Sequence, residues 1–320
     1  MKFKMMYSFL NSDFDIVEEA LEEAVYADSA LLQEASLHLL QAGGKRIRPL
    51  FVLLAAKFGS YDVHIIKKVA VALELIHAAS LIHDDVIDDA EIRRGKLTVK
   101  AKWDNRIAMY TGDYIFARSL ELMTEIDKPE AHKILADTMV ELVIGEIEQI
   151  KDKYRFDQNL KDYLRRIKRK TALLISTSCE LGAICSNADQ NLQRKLTRFG
   201  YYVGMSYQII DDILDFTATE KELGKPSGSD LLQGNITLPV LFAMEDLSIR
   251  KEIIKVHENM SRKDMDYIIK MIIRSNAIDR ARKVSNQYLE KALALVEELP
   301  QNQAKTALRS IAKYIGKRKY

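Results

Sequence analysis

Val69-Ala70-Val71-Ala72-Leu73-Glu74-Leu75-Ile76-His77-Ala78-Ala79-Ser80-Leu81-Ile82-His83-Asp84-Asp85-Val86-Ile87-Asp88-Asp89 settles the fold class. Within it Val69, Leu73, Ile76 and Ser80 recur at intervals of three and four, the period of one helical face. The expectation is a helix from about Lys67 running into the aspartates. Leu135, Met139, Leu142 and Ile147 show a similar recurrence, and alternating β-branched segments bounded by turn pairs are missing. Prolines stand only at 49, 129, 226, 239 and 300, so no proline breaks the span from Pro129 to Pro226. An all-α protein is expected. Joints fall at Gly43-Gly44, Gly59-Ser60, Gly95, Asp127-Lys128-Pro129, Asn187 to Asp189, Gly224 to Gly234 and Leu299-Pro300. None is a long Ser/Pro-rich linker and no fixed-period repeat occurs, so residues 1–320 read as a single domain.

Composition agrees with a compact chain: 48% of the 320 residues are hydrophobic and 29% charged, which excludes disordered and collagen-like classes. The formal charge is +2, so there is no global field for nucleic acid and charge-driven binding must be local. Cys179 and Cys185 are too few for a disulfide framework and lack zinc-site spacing, pointing to a reducing, cytoplasmic setting. No signal peptide opens the chain. The longest run without charge, Leu231 to Met244, is shorter than the ~18 residues of a spanning helix and contains Pro239, so at most peripheral membrane contact is expected.

One acidic pattern occurs twice. His83-Asp84-Asp85-Val86-Ile87-Asp88-Asp89 ends the first helix, and Gln208-Ile209-Ile210-Asp211-Asp212-Ile213-Leu214-Asp215 ends another, expected to start near Leu192. Both read D-D-x-x-D, which places Asp84 with Asp88, and Asp211 with Asp215, on one helical face a turn apart. Like charges so placed repel by a few tenths of ~1 kcal/mol, and uncompensated carboxylates in apolar surroundings cost far more. A cation should offset them, and Mg2+ fits, since it usually takes one or two carboxylates and completes its shell with water and phosphate. An isolated D-D-x-x-D is more often a solvated acidic helix end, but two copies ending apolar helices reverse that preference. Neither has the calcium-loop pattern, and His83 has no second histidine four residues away, so it reads as a packed side chain. Gly44-Lys45 is followed by Arg46 rather than Ser or Thr, which defeats a P-loop.

Cations cluster in Gly43-Gly44-Lys45-Arg46-Ile47-Arg48-Pro49, in Arg93-Arg94-Gly95 and in Lys168-Arg169-Lys170-Thr171. Arginine forks hold phosphate oxygens bidentately and lysine acts as a point charge. Each run alone would be a solvated face. With the two acidic racks they specify a pocket for two polyphosphate groups, one bridged by metal and one held by protein cations.

In that combination and order, the motifs resemble the trans-isoprenyl diphosphate synthases over nearly the whole chain: G-G-K-R-x-R-P, the first aspartate motif then R-R-G, K-T, Y-Q-x-x-D-D-x-x-D, and G-K-P…D-L…G-x-x-T-L-P. Within the family the details look nearest to the catalytic component of the two-component synthases of bacilli, whose seven-unit product serves the menaquinone side chain. The resemblance implies one bundle of antiparallel helices around a deep central cavity, with the two racks facing each other across its mouth. It implies about three Mg2+, with Asp84, Asp88 and Asp211 as direct ligands and Asp85, Asp212 and Asp215 in support. Lys45, Arg48, His77 and Arg94 match positions that bind isopentenyl diphosphate, although a histidine on an apolar helix is by default a core residue. Arg93, Lys170, Thr171, Gln208 and Lys225 match those serving the allylic diphosphate, for which farnesyl diphosphate is the expected primer. Lys170, Thr171, Gln208 and Lys225 would be catalytic.

Product length is read the same way. The positions four and five before the first aspartate hold bulky aromatics in short-product members, whereas here they are Ser80 and Ala79. A tail should therefore pass toward Ile76 and Ala72, with one helical turn of ~5.4 Å cleared per isoprene unit. Asn235 departs from the family by standing where single-component members have lysine, which fits a need for a dissimilar partner subunit; a second copy of the chain is the other partner expected. The basic end, Lys313 to Tyr320, reads as a solvated tail. A class I terpene cyclase would carry an Asn/Ser-rich second metal motif, and a regulatory subunit could lose its racks, so Asp211 to Asp215 argues against both.

Overall fold

The computed structural model describes residues 3–220 and 226–318. A 3-10 segment, Lys4–Leu10, leads into α1 (Asn11–Ala24), α2 (Ala30–Leu40), α3 (Ile47–Ala56) and α4 (Val63–Ile87). A small hairpin of β1 (Ile92–Arg93) and β2 (Lys96–Leu97) precedes α5 (Val99–Lys102), α6 (Asn105–Thr124), α7 (Pro129–Asp152) and α8 (Leu160–Ile167). A π-helical turn, Lys168–Ala172, joins α8 to α9 (Leu173–Cys185), and α10 (Gln190–Thr217) follows. Then come α11 (Ser229–Leu232), α12 (Leu238–Ala243), α13 (Leu247–Ile253), α14 (Arg262–Arg274), α15 (Ala277–Glu297) and α16 (Gln303–Gly316). The protein is all-α, and the hairpin is the one sheet among the described residues.

Caps explain where the two aspartate helices begin. Asp62 accepts from the His64 amide, so α4 starts at Val63, ahead of the Lys67 expected from periodicity. Asp189 accepts from the amides of Asn191 and Leu192 and starts α10 at Gln190. Between Pro129 and Pro226 the expected joint at Asn187 is present, with φ of 57° at that residue. Another, over 153–159, lacks glycine and proline and was not foreseen. There Tyr154 takes a φ of 56° and donates its amide to the Gly234 carbonyl at 2.9 Å, while Asn159 and Asp162 form a capping box that opens α8. A tertiary hydrogen bond, not a local breaker, ends α7.

The chain divides into two compact units, Met1–Leu135 with Thr177–Thr197 and Pro300–Ala307, and Ala136–Ser176 with Arg198–Leu299 and Leu308–Tyr320. In the first, Leu50 to Ala56 of α3 and Val69 to Ile76 of α4 are buried, and burying each large apolar side chain contributes about 1.5–3 kcal/mol. Gly112 of α6 meets α4 closely: a Cβ there would lie 2.3 Å from His83 Nε2. The second unit is built on Tyr163, Met205, Ile209, Ile213 and Ala281, and on Leu231, Ile236, Val240, Ile268 and Ile272. No described helix is long and apolar enough to cross a membrane.

Candidate functional site

The first acidic cluster closes α4. The helix ends at Ile87, yet the Asp88 amide still donates to the Asp84 carbonyl at 2.8 Å, so the two carboxylates keep one-turn spacing. Asp84 is half-buried and Asp88 exposed, whereas Asp85 is buried. Both Nε and Nη2 of Arg93 reach Asp85 Oδ1, at 2.7 and 2.6 Å. Burial raises the Asp85 pKa, with Arg93 opposing the rise. His83 pairs with Asp113 of α6 at 3.2 Å, the packed role its sequence context predicts.

Consecutive left-handed residues, Arg94 at φ 53° and Gly95 at φ 77°, form the tight turn of the β1–β2 hairpin. That turn carries Arg94 and Lys96 onto the glycine loop, where they bond the carbonyls of Gly43 and Gln41. A side chain at position 44 would meet Arg94 Nη1 at 2.8 Å, so glycine there permits the approach. Arg46, at φ 46°, opens α3 with its guanidinium on Glu18 at 2.7 and 3.1 Å, on Glu74 at 3.3 Å and on the Leu40 carbonyl at 3.0 Å. Lys45 is exposed and Arg48 half-buried on either side of this anchor. His77 lies half-buried on α4. Burial, followed by the charges of Arg48, Arg94, Arg93 and Arg46, holds its pKa well below the ordinary value, so the imidazole is neutral. The three basic and histidine segments of this unit, remote in sequence, thus come together. The sequence places Arg46 in a phosphate-directed cation run, but the structure commits it to Glu18 and Glu74, which sequence reasoning did not single out; an internal ion pair leaves no motif.

Ala72, Ile76 and Ala79 of α4 are fully buried. Ser80 is half-buried and its hydroxyl donates to the His77 carbonyl at 2.9 Å.

In the second unit, α10 and the π turn supply the groups. Asp212 is buried and both its oxygens are taken: Tyr163 donates to Oδ2 at 2.7 Å and Gln208 Nε2 to Oδ1 at 2.8 Å. Burial and the charge of Asp230 push its pKa up to about 7, against the hydrogen bonds from Tyr163 and Gln208. Thr171 donates to Gln208 Oε1 at 2.5 Å, and Lys170 Nζ donates to Gln149 at 2.8 Å. Asp215, also buried, accepts from the Ser229 hydroxyl at 3.1 Å and the Asp230 amide at 3.3 Å, fastening α11 to the end of α10. Asp211 is partly exposed and receives the guanidinium of Arg318. The C-terminal segment is therefore not a solvated tail: α16 runs to Gly316, and Arg318 is 7% exposed, packed 4.9 Å from the Tyr207 ring centroid. Asn235 is half-buried, its amide bonded to the Asp230 carbonyl at 2.8 Å. Lys225 lies outside the described residues.

The two D-D-x-x-D copies agree at the second aspartate, buried and bonded internally as Asp85 and Asp212, and at the first, part-exposed as Asp84 and Asp211; they differ at the last, where Asp88 is exposed and Asp215 is buried against Ser229. Among the described residues no group of three or more His, Cys, Asp or Glu is placed to hold a metal ion. An oxygen-only set of one or two carboxylates per ion is nevertheless the donor chemistry Mg2+ takes, since it keeps waters and takes phosphate oxygens. The residues fit the group.

A polyprenyl synthetase family model matches residues 29–272. Heptaprenyl diphosphate synthase component 2 of Bacillus subtilis is 62% identical over 320 residues, which is 100% of this chain and 92% of that protein. The crystal structure of heptaprenyl diphosphate synthase from Staphylococcus aureus aligns with a TM-score of 0.94 at 46% identity, covering 97% of this chain and 98% of that one. Polyprenyl synthase from Caulobacter crescentus, complexed with calcium and isoprenyl diphosphate, aligns with a TM-score of 0.92 at 30% identity over 99% of this chain and 98% of that one. The architecture here matches the antiparallel-helix isoprenoid synthase fold of these proteins.

Proposed function

The chain belongs to the polyprenyl synthetase family as a trans-prenyltransferase, and on that premise we propose that it extends an allylic primer such as farnesyl diphosphate with isopentenyl diphosphate to the seven-unit, all-trans product. One observation carries the reading: in each acidic motif the second aspartate is buried and bonded internally, Asp85 to Arg93 and Asp212 to Tyr163 and Gln208, while Asp84 and Asp211 are part-exposed and Asp88 exposed. Asp84, Asp88 and Asp211 would hold Mg2+ on the allylic diphosphate, with Asp85, Asp212 and Asp215 fixing their neighbours. Bound Mg2+ supplies the positive charge that lets a diphosphate leave.

Arg93, Lys170 and Lys225 bind the allylic diphosphate, so negative charge gathering there as the C–O bond breaks meets fixed cations. Lys45, Arg48 and Arg94 bind the other diphosphate, and neutral His77 offers it an N–H. Thr171 and Gln208 aim oxygen dipoles at the allylic cation. The isopentenyl double bond attacks that carbon, a C–C bond forms, and the proton lost from the product goes to the departing diphosphate. Small side chains at Ala79 and Ser80 let the tail run on along the face of Ile76 and Ala72.

Residues 1–320 act as one catalytic domain in this reading, supported by most of the boundaries between units falling inside helices, in α7, α9, α10 and α16, with only Leu299/Pro300 in a joint. The name of the B. subtilis relative, component 2, and Asn235 in the G-x-x-T-L-P motif support a dissimilar partner subunit. Labelled isopentenyl diphosphate and farnesyl diphosphate, supplied with and without a candidate partner, test this. The expected product is linear heptaprenyl diphosphate, formed in quantity only with the partner; equal yield and length from the lone chain would reject the partner, and a shorter product in both would reject the seven-unit assignment.

A further inference from the structure

Tyr163 is fully buried in α8, yet its hydroxyl reaches Asp212 on α10. Three bonds then run in series: Tyr163 to Asp212, Gln208 to Asp212, and Thr171 to Gln208. Direction matters in such a chain. Gln208 Nε2 donates to Asp212 Oδ1, which holds the amide end of Gln208 toward Asp212 and leaves its carbonyl end to accept from Thr171. Tyr163 takes the other oxygen and so opposes rotation of the carboxyl group. Arg166, one turn on from Tyr163, is bonded to the Ile236 carbonyl and to Gln158, so α8 is itself anchored.

From this geometry we infer that Tyr163 is a positioning residue for prenyl transfer: through Asp212 and Gln208 it orients the oxygens of Gln208 and Thr171 toward the allylic carbon. The inference rests on the reading of Thr171 and Gln208 given above. A tyrosine serving only to satisfy a buried carboxylate would affect stability, and its loss would be independent of Thr171.

Tyr163→Phe keeps the ring and removes the donor. The single-turnover rate of the first condensation should fall about tenfold, the kinetic equivalent of one hydrogen bond, with KM for both diphosphates within about twofold of wild type. In a Thr171→Val background, where the chain is already cut, the same change should cost less than about twofold more. Equal losses in both backgrounds, or a raised KM with an unchanged rate, would overturn the proposal. Asp212→Leu, which removes both acceptor oxygens at similar volume, is the second variant and should show the same dependence on Thr171 should Tyr163→Phe fold poorly; independence there would equally overturn it. With the partner subunit present throughout, a wild-type enzyme that condenses nothing, or a Thr171→Val variant as fast as wild type, would reject the reading of the site instead, and the proposal with it.

Discussion

Asp84, Asp85 and Asp88 are close neighbours in sequence, and their surroundings give them different work. Asp85 is buried against Arg93, while Asp84 and Asp88 stay at the surface of the helix end. The motif was legible as D-D-x-x-D, but this partition was not, since Arg93, Tyr163 and Ser229 are brought to Asp85, Asp212 and Asp215 by the fold. Asp84→Ala should lower turnover about 10²–10³-fold, because it removes charge stabilisation at the leaving group. Full turnover in that variant would reject the metal role. Asp212 gives a pH signature. Its folded-state value of about 7, against an ordinary 3.8, means its contribution to stability is complete below about pH 4 and lost as pH rises through about 7. In chelator-treated protein Asp212→Asn should therefore shrink the difference in thermal midpoint between about pH 5 and pH 8, and an undiminished difference would contradict the burial argument.

Helices place these residues through close crossings. Gly204 of α10 meets the π turn so tightly that a Cβ would lie 2.5 Å from Ala172 Cα, a backbone atom that cannot swing away. Gly204→Ala should push Thr171 and Gln208 apart and cost about 1–3 kcal/mol, lowering the midpoint by several degrees. A variant as stable and as active as wild type would show that the crossing has slack. Ala79 is equally confined, at 0% exposure on α4. Tyrosine at that position should shorten the product, and an unaltered chain length would remove Ala79 from the length-setting face. Apolar periodicity made α4 and α10 readable in the sequence, whereas their starts, set by the caps Asp62 and Asp189, were not. The end of α7 was hidden because the Gly234 carbonyl, not a local breaker, receives the Tyr154 amide.

For the whole molecule, pattern and composition were enough for the all-α class, since helical periodicity is a local property; the antiparallel arrangement came only with the family resemblance. The C-terminal segment was misread because its burial depends on Asp211 and Tyr207, both remote in sequence. The proposed dependence on a partner subunit is addressed by Asn235→Lys: the lone chain should gain turnover or affinity for the allylic substrate, and no gain would detach Asn235 from that proposal. The central claim is that carboxylate-held divalent ions drive departure of the allylic diphosphate. Incorporation of labelled isopentenyl diphosphate into farnesyl diphosphate, followed as Mg2+ is titrated into chelator-treated chain and partner, tests it most directly. Incorporation should climb from background to saturation and yield a linear prenyl diphosphate; undiminished incorporation in chelator, or a cyclised hydrocarbon as product, would contradict the account.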